Sequence, residues 1–167
     1  MAPPPGLVVR AATGADVPGL CDLANDPGYR WGTLRLPYQT AEQTGRWLTG
    51  RGADDHLLVA ELDGAVVGDA GLHRQRGRRD HVGVLGMGVR DAVRRRGVGT
   101  ALLAAVVDLA DNWLGLARLE LSVFADNQPA VALYERHGFT REGIMRAYAL
   151  REGTYVDALM MARLRLR

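Results

Sequence analysis

The sequence predicts a mixed α/β (α+β) domain with a central sheet, and three observations carry that expectation. Apolar residues make up 47% of the 167-residue chain and charged residues 24%, a balance that fills a core and excludes a disordered chain. Short apolar strands alternate with segments of helical periodicity. A two-residue hairpin signal, Asp63-Gly64, joins two of those strands. One domain is expected at this length, over residues 7–167, after a flexible leader at residues 1–6.

Residues 7–12 read as a short strand. Thr13 and Asp16 then supply capping side chains, and Val17, Leu20, Cys21, Leu23 and Ala24 follow at helical spacing. Asn25-Asp26-Pro27-Gly28 is a turn signal that stops this helix, and residues 29–38 read as irregular. Thr40 opens a second short helix that runs through Trp47 and Leu48. Residues 57–62 and 65–72 are the hairpin strands, and residues 74–80 a basic, solvated turn. Residues 82–89 form a strand whose glycines, Gly83, Gly86 and Gly88, suggest a bulge. Residues 100–114 contain neither Gly nor Pro, and Leu102, Val106, Leu109 and Trp113 share one helical face. Residues 119–124 are an apolar strand expected to be buried on both faces. Residues 127–137 read as a helix closed by Gly138, and residues 139–148 and 155–164 as strands joined at Arg151-Glu152-Gly153.

Composition narrows the function. All 21 basic residues are arginine, and against 19 acidic ones they leave a net charge of +2. That gives no overall field to recruit nucleic acid, and the few aromatics give no stacking platform, so no nucleic-acid partner is expected. No apolar run reaches the roughly 18 residues of a membrane span, so no membrane partner is expected. The start, Met1-Ala2-Pro3-Pro4-Pro5-Gly6, has no apolar core of a signal peptide, and a cytoplasmic location follows. A lone Cys21 excludes an internal disulfide, and His56, His73, His81 and His137 lack metal-ligand spacing, so no metal is expected.

The stretch from Met87 to Leu102 is the one that points to chemistry. A strand ends near Val89, a basic loop of Arg94, Arg95 and Arg96 follows, and a helix starts near Gly97. Unpaired N–H groups at the helix start, its dipole and the three guanidiniums together suit a diphosphate. Gly97 and Gly99 would leave room for a ligand against the backbone. The alternative is a solvated arginine cluster capping a helix. Neither a Walker loop nor a dinucleotide fingerprint is present, since position 102 is Leu.

The pattern Arg94-x-x-Gly97-x-Gly99 after a strand resembles the GNAT superfamily of acetyl-CoA-dependent N-acetyltransferases. The run from Leu121 through Asn127, Tyr134 and Gly138-Phe139 resembles its second motif, in which an Asn opens a helix and a Tyr sits two turns on. Residues 33–37, 111–114 and 148–157 resemble the bacterial L-amino-acid N-acetyltransferase branch, and the likeness spans residues 7–164. The resemblance implies a GNAT-like central mixed, mostly antiparallel twisted sheet flanked by helices, with acetyl-CoA as cosubstrate. It also implies how the coenzyme lies. The backbone of Met87, Gly88 and Val89 pairs with the pantetheine arm, and the loop Arg94, Arg95, Arg96, Gly97, Val98, Gly99 and Thr100 holds the diphosphate. Asn127 bonds the arm near its amide, and Tyr134, the catalytic candidate, faces the thiol. Helical geometry agrees independently, because seven residues are nearly two turns, so Asn127 and Tyr134 share a face about 10 Å apart.

The implied reaction is direct attack of an amine on the thioester, with a backbone N–H near Met87 or Gly88 polarising the carbonyl. Tyr134 would protonate the leaving thiolate, a transfer uphill by about 2 kcal/mol between unperturbed groups. Many relatives carry an acidic residue in the strand before the diphosphate loop, but residues 82–89 hold no carboxylate, which leaves the base unassigned. Glu120 and Ser122 are conceivable water-relay groups, although Glu120 reads better as a partner for an arginine. A missing base favours an α-amine, which costs about 1.4 kcal/mol to neutralise at pH 7, over a lysine side chain at about 4.6 kcal/mol. Leu34, Arg35 and Tyr148 are the candidates for binding the acceptor, Arg35 through a carboxylate. An exposed loop arginine is the other reading of Arg35. Asp69 and His73 alternate along one strand face, which a solvated face also explains. The expected partner is a small-molecule amine, an amino acid or analogue. A protein N-terminal acetyltransferase and a non-catalytic acyl-CoA-binding module are the alternatives, and the assembly is left open between monomer and homodimer.

Overall fold

The computed structural model describes residues 2–166. Seven strands form one sheet in the order β1-β2-β3-β4-β5-β7-β6. They are β1 (Val8–Ala11), β2 (Asp55–Leu62), β3 (Ala65–Arg74), β4 (Val82–Val89), β5 (Arg118–Phe124), β6 (Thr140–Arg151) and β7 (Thr154–Leu164). Every neighbouring pair is antiparallel except β4 and β5. The hairpin turn is the one the sequence predicts: Asp63 and Gly64 both take positive φ, 52° and 78°, as a type I′ turn requires.

Five helices flank the sheet: α1 (Val17–Asn25), α2 (Pro27–Gly32), α3 (Ala41–Thr49), α4 (Val98–Asp108) and α5 (Gln128–Arg136). On one face, Val98, Leu102, Leu103 and Val106 of α4 are buried in a core with Ala70 and Leu72 of β3. On the other, Leu20 and Leu23 of α1 and Tyr29 of α2 join Leu57 and Val59 of β2. The strands alternate between these cores, so Asp69, Gly71 and His73 point to the side that α2 and α3 cover. No helix among the described residues is long and apolar enough to cross a membrane.

The structure departs from three expectations. Asn25-Asp26-Pro27-Gly28 ends one helix but also starts the next, so residues 27–32 are helical rather than irregular. Asp26 is the N-cap, its carboxylate accepting from the Tyr29 N–H at 3.3 Å, and Pro27 fits the first position because no hydrogen bond is asked of its nitrogen. Trp113 does not share the buried face of Leu102 and Val106, because residues Leu109–Trp113 form a wider π-type turn that rotates the later residues and leaves Trp113 exposed. The β3–β4 ladder runs without a shift from Gly68↔Val89 to Arg74↔Gly83, so the β4 glycines mark no bulge there. At Gly88 the reason for glycine is the Tyr29 ring, which a Cβ would approach to 2.2 Å. The leader residues Ala2 and Pro3 lie against Gly97, whose Cβ would sit 2.7 Å from the Ala2 carbonyl oxygen.

Candidate active site

The parallel pairing of β4 with β5 covers only Val82↔Arg118 to Val84↔Glu120. Beyond Val84 the two strands part, and the backbone of β4 from Leu85 to Val89 has no strand on that edge. The gap is a slot of about 210 Å³, walled by Leu85, Gly86 and Met87 on one side and by Ser122, Val123 and Phe124 on the other. Asn127, Ala130 and Tyr134 of α5 all line it, the shared face that their spacing predicts. Asn127 is the N-cap of α5, its side-chain oxygen accepting from the Ala130 N–H at 3.4 Å while its amide nitrogen faces Gly32. Tyr134 packs edge-on to Phe139 at 5.7 Å, and burial pushes its phenol above the ordinary range.

At the open end of β4 the chain turns through a short helical loop into α4. Gly97 is the N-cap with φ of 83°, a conformation that glycine adopts without strain. The N–H groups of the first turn of this eleven-residue helix have no partner within the helix. Arg94, Arg95 and Arg96 are all exposed around it, and Arg94 pairs with Asp91 at 3.0 Å. Asp91 also accepts from the Gly28 N–H at 2.9 Å and so ties α2 to this loop. The expectation that Gly97 and Gly99 leave open space is corrected: Ala2 and Pro3 lie over Gly97, and a Cβ on Gly99 would sit 3.3 Å from Leu133. Both glycines permit close packing of the chain on itself.

A second cavity, of about 320 Å³, opens over β3 and β4 beneath α2 and α3. It shares Thr33, Leu85, Gly86 and Met87 with the slot, so the two spaces meet at the middle of β4. Asp69 lies in its floor, only 5% exposed, and accepts from the Tyr29 hydroxyl at 2.8 Å. Burial pushes the Asp69 carboxyl up to about 6, although Tyr29, Arg35 and Arg51 all pull the other way. The Arg35 and Arg51 guanidiniums lie over the Trp47 ring, 4.1 and 5.0 Å from its centre. His73 faces the same cavity and pairs with Asp55 at 2.7 Å.

The acceptor candidates therefore divide. Arg35 lines the basin, whereas Leu34 and Tyr148 line the slot, Tyr148 sharing a hydrogen bond with Ser122 at 2.9 Å. Glu120 is a partner for arginines, as read, meeting Arg79 and Arg118 at 2.6 Å each. The solvated reading of Asp69 is wrong, because α2 covers that face of β3. Tyr29, Trp47 and Arg51 also line this basin, and no local sequence pattern marks them as site residues. The period-two run Asp69-Gly71-His73 was the available signal, but its meaning depends on helices distant in sequence. Among the described residues no group of three His, Cys, Asp or Glu could hold a metal ion.

The Acetyltransferase (GNAT) family model matches residues 17–139. The chain belongs to the GNAT acetyltransferase family. It is an acetyl-CoA-dependent N-acetyltransferase, built on the mixed, mostly antiparallel sheet that the family resemblance implies. It is 38% identical over 160 residues to the L-amino acid N-acetyltransferase AaaT of Escherichia coli (strain K12), covering 95% of this chain and 98% of that relative. It is 28% identical over 155 residues to a phosphinothricin N-acetyltransferase of Streptomyces viridochromogenes, covering 89% and 82% of the two. A GNAT-family acetyltransferase structure from Streptococcus pneumoniae superposes with a TM-score of 0.82 at 29% identity, over 95% of this chain and 99% of that one.

Proposed function

We propose that this acetyltransferase moves the acetyl group of acetyl-CoA to the amino group of a small acceptor, a free amino acid or an amino-acid analogue. The observation that carries this reading is the junction of the two cavities at Thr33, Leu85, Gly86 and Met87. One ligand entering along the slot and another entering through the basin meet there. The likeness to an L-amino acid N-acetyltransferase over nearly the whole chain supports the acceptor class.

In this reading the pantetheine arm extends β4 as an added strand, using backbone groups of Met87, Gly88 and Val89 that face no other strand. The diphosphate lies at the start of α4, with Arg94, Arg95 and Arg96 around it and the N–H groups of Val98, Gly99 and Thr100 beneath. Asn127 bonds the arm, and a backbone N–H near Met87 or Gly88 polarises the acetyl carbonyl. Tyr134 returns a proton to the departing thiolate. Arg35 meets the acceptor's carboxylate, while Leu34 and Tyr148 border the acetyl end. A thiol-release assay with acetyl-CoA tests this against amino acids, their analogues, polyamines and short peptides. Turnover is expected with amino acids or analogues; peptide turnover alone, or thiol release with no amine at all, would overturn it.

A further inference from the structure

Resting on that reading, we propose that the basin over β3 and β4 binds the acceptor as an α-amino acid zwitterion, with Asp69 as the base for its ammonium and Arg51, beside Arg35, as the anchor for its carboxylate. The strand before the diphosphate loop, residues 82–89, carries no ionisable side chain, so the proton must go elsewhere. Asp69 pairs in register with Gly88, one residue beyond Met87, the last β4 residue that the slot and basin share. It is the acidic side chain lining the basin, and the slot has none. Gly88 has no side chain, and that lets the Tyr29 ring lie across the sheet and donate its hydroxyl to Asp69. Tyr29 is thus a positioning residue that fixes the carboxylate from one side and leaves its other lone pairs to the basin.

The charges around Asp69 suit a zwitterion. Arg35 comes from the segment after α2 and Arg51 from the segment after α3, and Trp47 holds both guanidiniums on its face. Arg51 crosses Gly71, where a Cβ would come within 3.0 Å of its terminal nitrogen. Arg51 lines the basin, so its terminal N–H groups are the ones that meet a carboxylate there. The other ionisable group that β3 presents to the basin is His73, already paired with Asp55 of β2, while Arg74 lies outside the basin lining and β4 presents no charge to it. Trp47, Leu57, Leu85 and Met87 supply apolar wall for a side chain.

The proton balance closes. The ammonium gives one proton to Asp69, the free amine attacks the carbonyl carbon, and the C–N bond forms as the C–S bond breaks. Tyr134 gives its proton to the thiolate, and the second amine proton, lost as the amide forms, passes to the tyrosinate and restores it. Asp69 releases its proton to solvent, so each turnover converts ammonium and thioester into amide, thiol and one H⁺. A carboxyl titrating near 6 stands ionised and basic enough to serve at neutral pH.

The test uses apolar L-amino acids (leucine, methionine and phenylalanine), their methyl esters and the corresponding amines lacking the carboxylate. Wild-type enzyme is expected to favour the acids over the esters about 30-fold or more in kcat/KM, the scale of one buried charged contact. Arg51→Met should raise KM for the acids alone, leaving the amines as they were. Asp69→Asn should keep its acetyl-CoA affinity by calorimetry but lose about 100-fold or more in kcat/KM at pH 7. The wild-type acidic limb near pH 6 should vanish in that variant, whose rate climbs instead toward the pKa of the free amine. Tyr29→Phe should move the limb upward, because the phenol's hydrogen bond favours the ionised carboxylate. His73→Asn should leave the limb where it was. Ester and acid turned over equally, a limb that follows His73, or an unchanged Asp69→Asn profile would each overturn the inference. Turnover of other amines only would overturn it while the acetyltransferase reading stands; no thiol release with any amine would overturn both.

Discussion

Tyr134 and Asp69 both face the joined cavities, and burial raises the pKa of each. For Tyr134 a raised phenol is a weaker acid, which widens the roughly 2 kcal/mol gap to an unperturbed thiolate. The thiolate released in the same slot is desolvated as well, and its own rise narrows the gap again. Tyr134→Phe is therefore expected to lower kcat about 100-fold while acetyl-CoA affinity by titration stays nearly unchanged. For Asp69 the raised carboxyl is a cost to the fold. Between its ordinary value of 3.8 and about 6 the native protein holds a proton that the unfolded chain has released. Stability from this group is thus full below about pH 4 and is lost as pH rises through 6. That shift corresponds to about 3 kcal/mol. Asp69→Asn keeps an acceptor for Tyr29, so urea unfolding should find the variant more stable at pH 7 by up to about that amount. At pH 4 the two proteins should unfold together.

At the scale of elements, α2 decides the shape of the basin. Asp26 caps it, Asp91 holds its start, and Tyr29 pins it to β3 across Gly88. Gly88→Ala places a methyl 2.2 Å from the Tyr29 ring, so the ring must leave and the bond to Asp69 break. The expected loss is about 1–3 kcal/mol in denaturant unfolding, together with a raised acceptor KM and little change in coenzyme affinity. The same helix marks where the sequence stops being legible. Asp63-Gly64 and Gly138 announce their turns because positive φ is a local demand. Asn25-Asp26-Pro27-Gly28 serves both as a turn and as a cap followed by proline, and six residues of helix carry no periodicity to choose between them. The π-type turn at Leu109–Trp113 is equally silent, since its extra residue turns Asp111 toward a two-point contact with Arg163, which lies 52 residues on. The coenzyme half of the proposed site lies in two contiguous runs, residues 94–100 and 127–134, and is therefore legible in the sequence. The proposed acceptor half joins Tyr29 of α2, Trp47 of α3, Arg51 of the loop after it and Asp69 of β3, which only the tertiary fold brings together.

Across the whole molecule, the sheet is two plates with a narrow seam. β1–β4 and β5–β7 are joined through three parallel residue pairs, Val82↔Arg118, Gly83↔Leu119 and Val84↔Glu120. Glu120 reinforces the seam by taking Arg79 from one plate and Arg118 from the other. At the far side Arg151 reaches from β6 to lie over Trp31 of α2, 4.1 Å from the ring centre. Between these clasps the slot is open, lined by Met87 on one plate and by Asn127 and Tyr134 on the other, and the proposed coenzyme path would bridge the two. Ligand that binds only the folded form stabilises it by about 2.7 kcal/mol at 100 times Kd. At roughly 2–4 °C per kcal/mol for a chain of this size, saturating acetyl-CoA should raise Tm by about 5–10 °C. The gain should shrink with added salt, because exposed arginines beside the α4 N-terminus are screened within about 10 Å at 0.1 M. Hydrogen exchange should slow most at the amides of residues 87–89 and 98–100, and least at β1, on the outer edge of its plate. Protection spread evenly over both plates, or confined to the basin, would mean that the thioester does not lie along the seam.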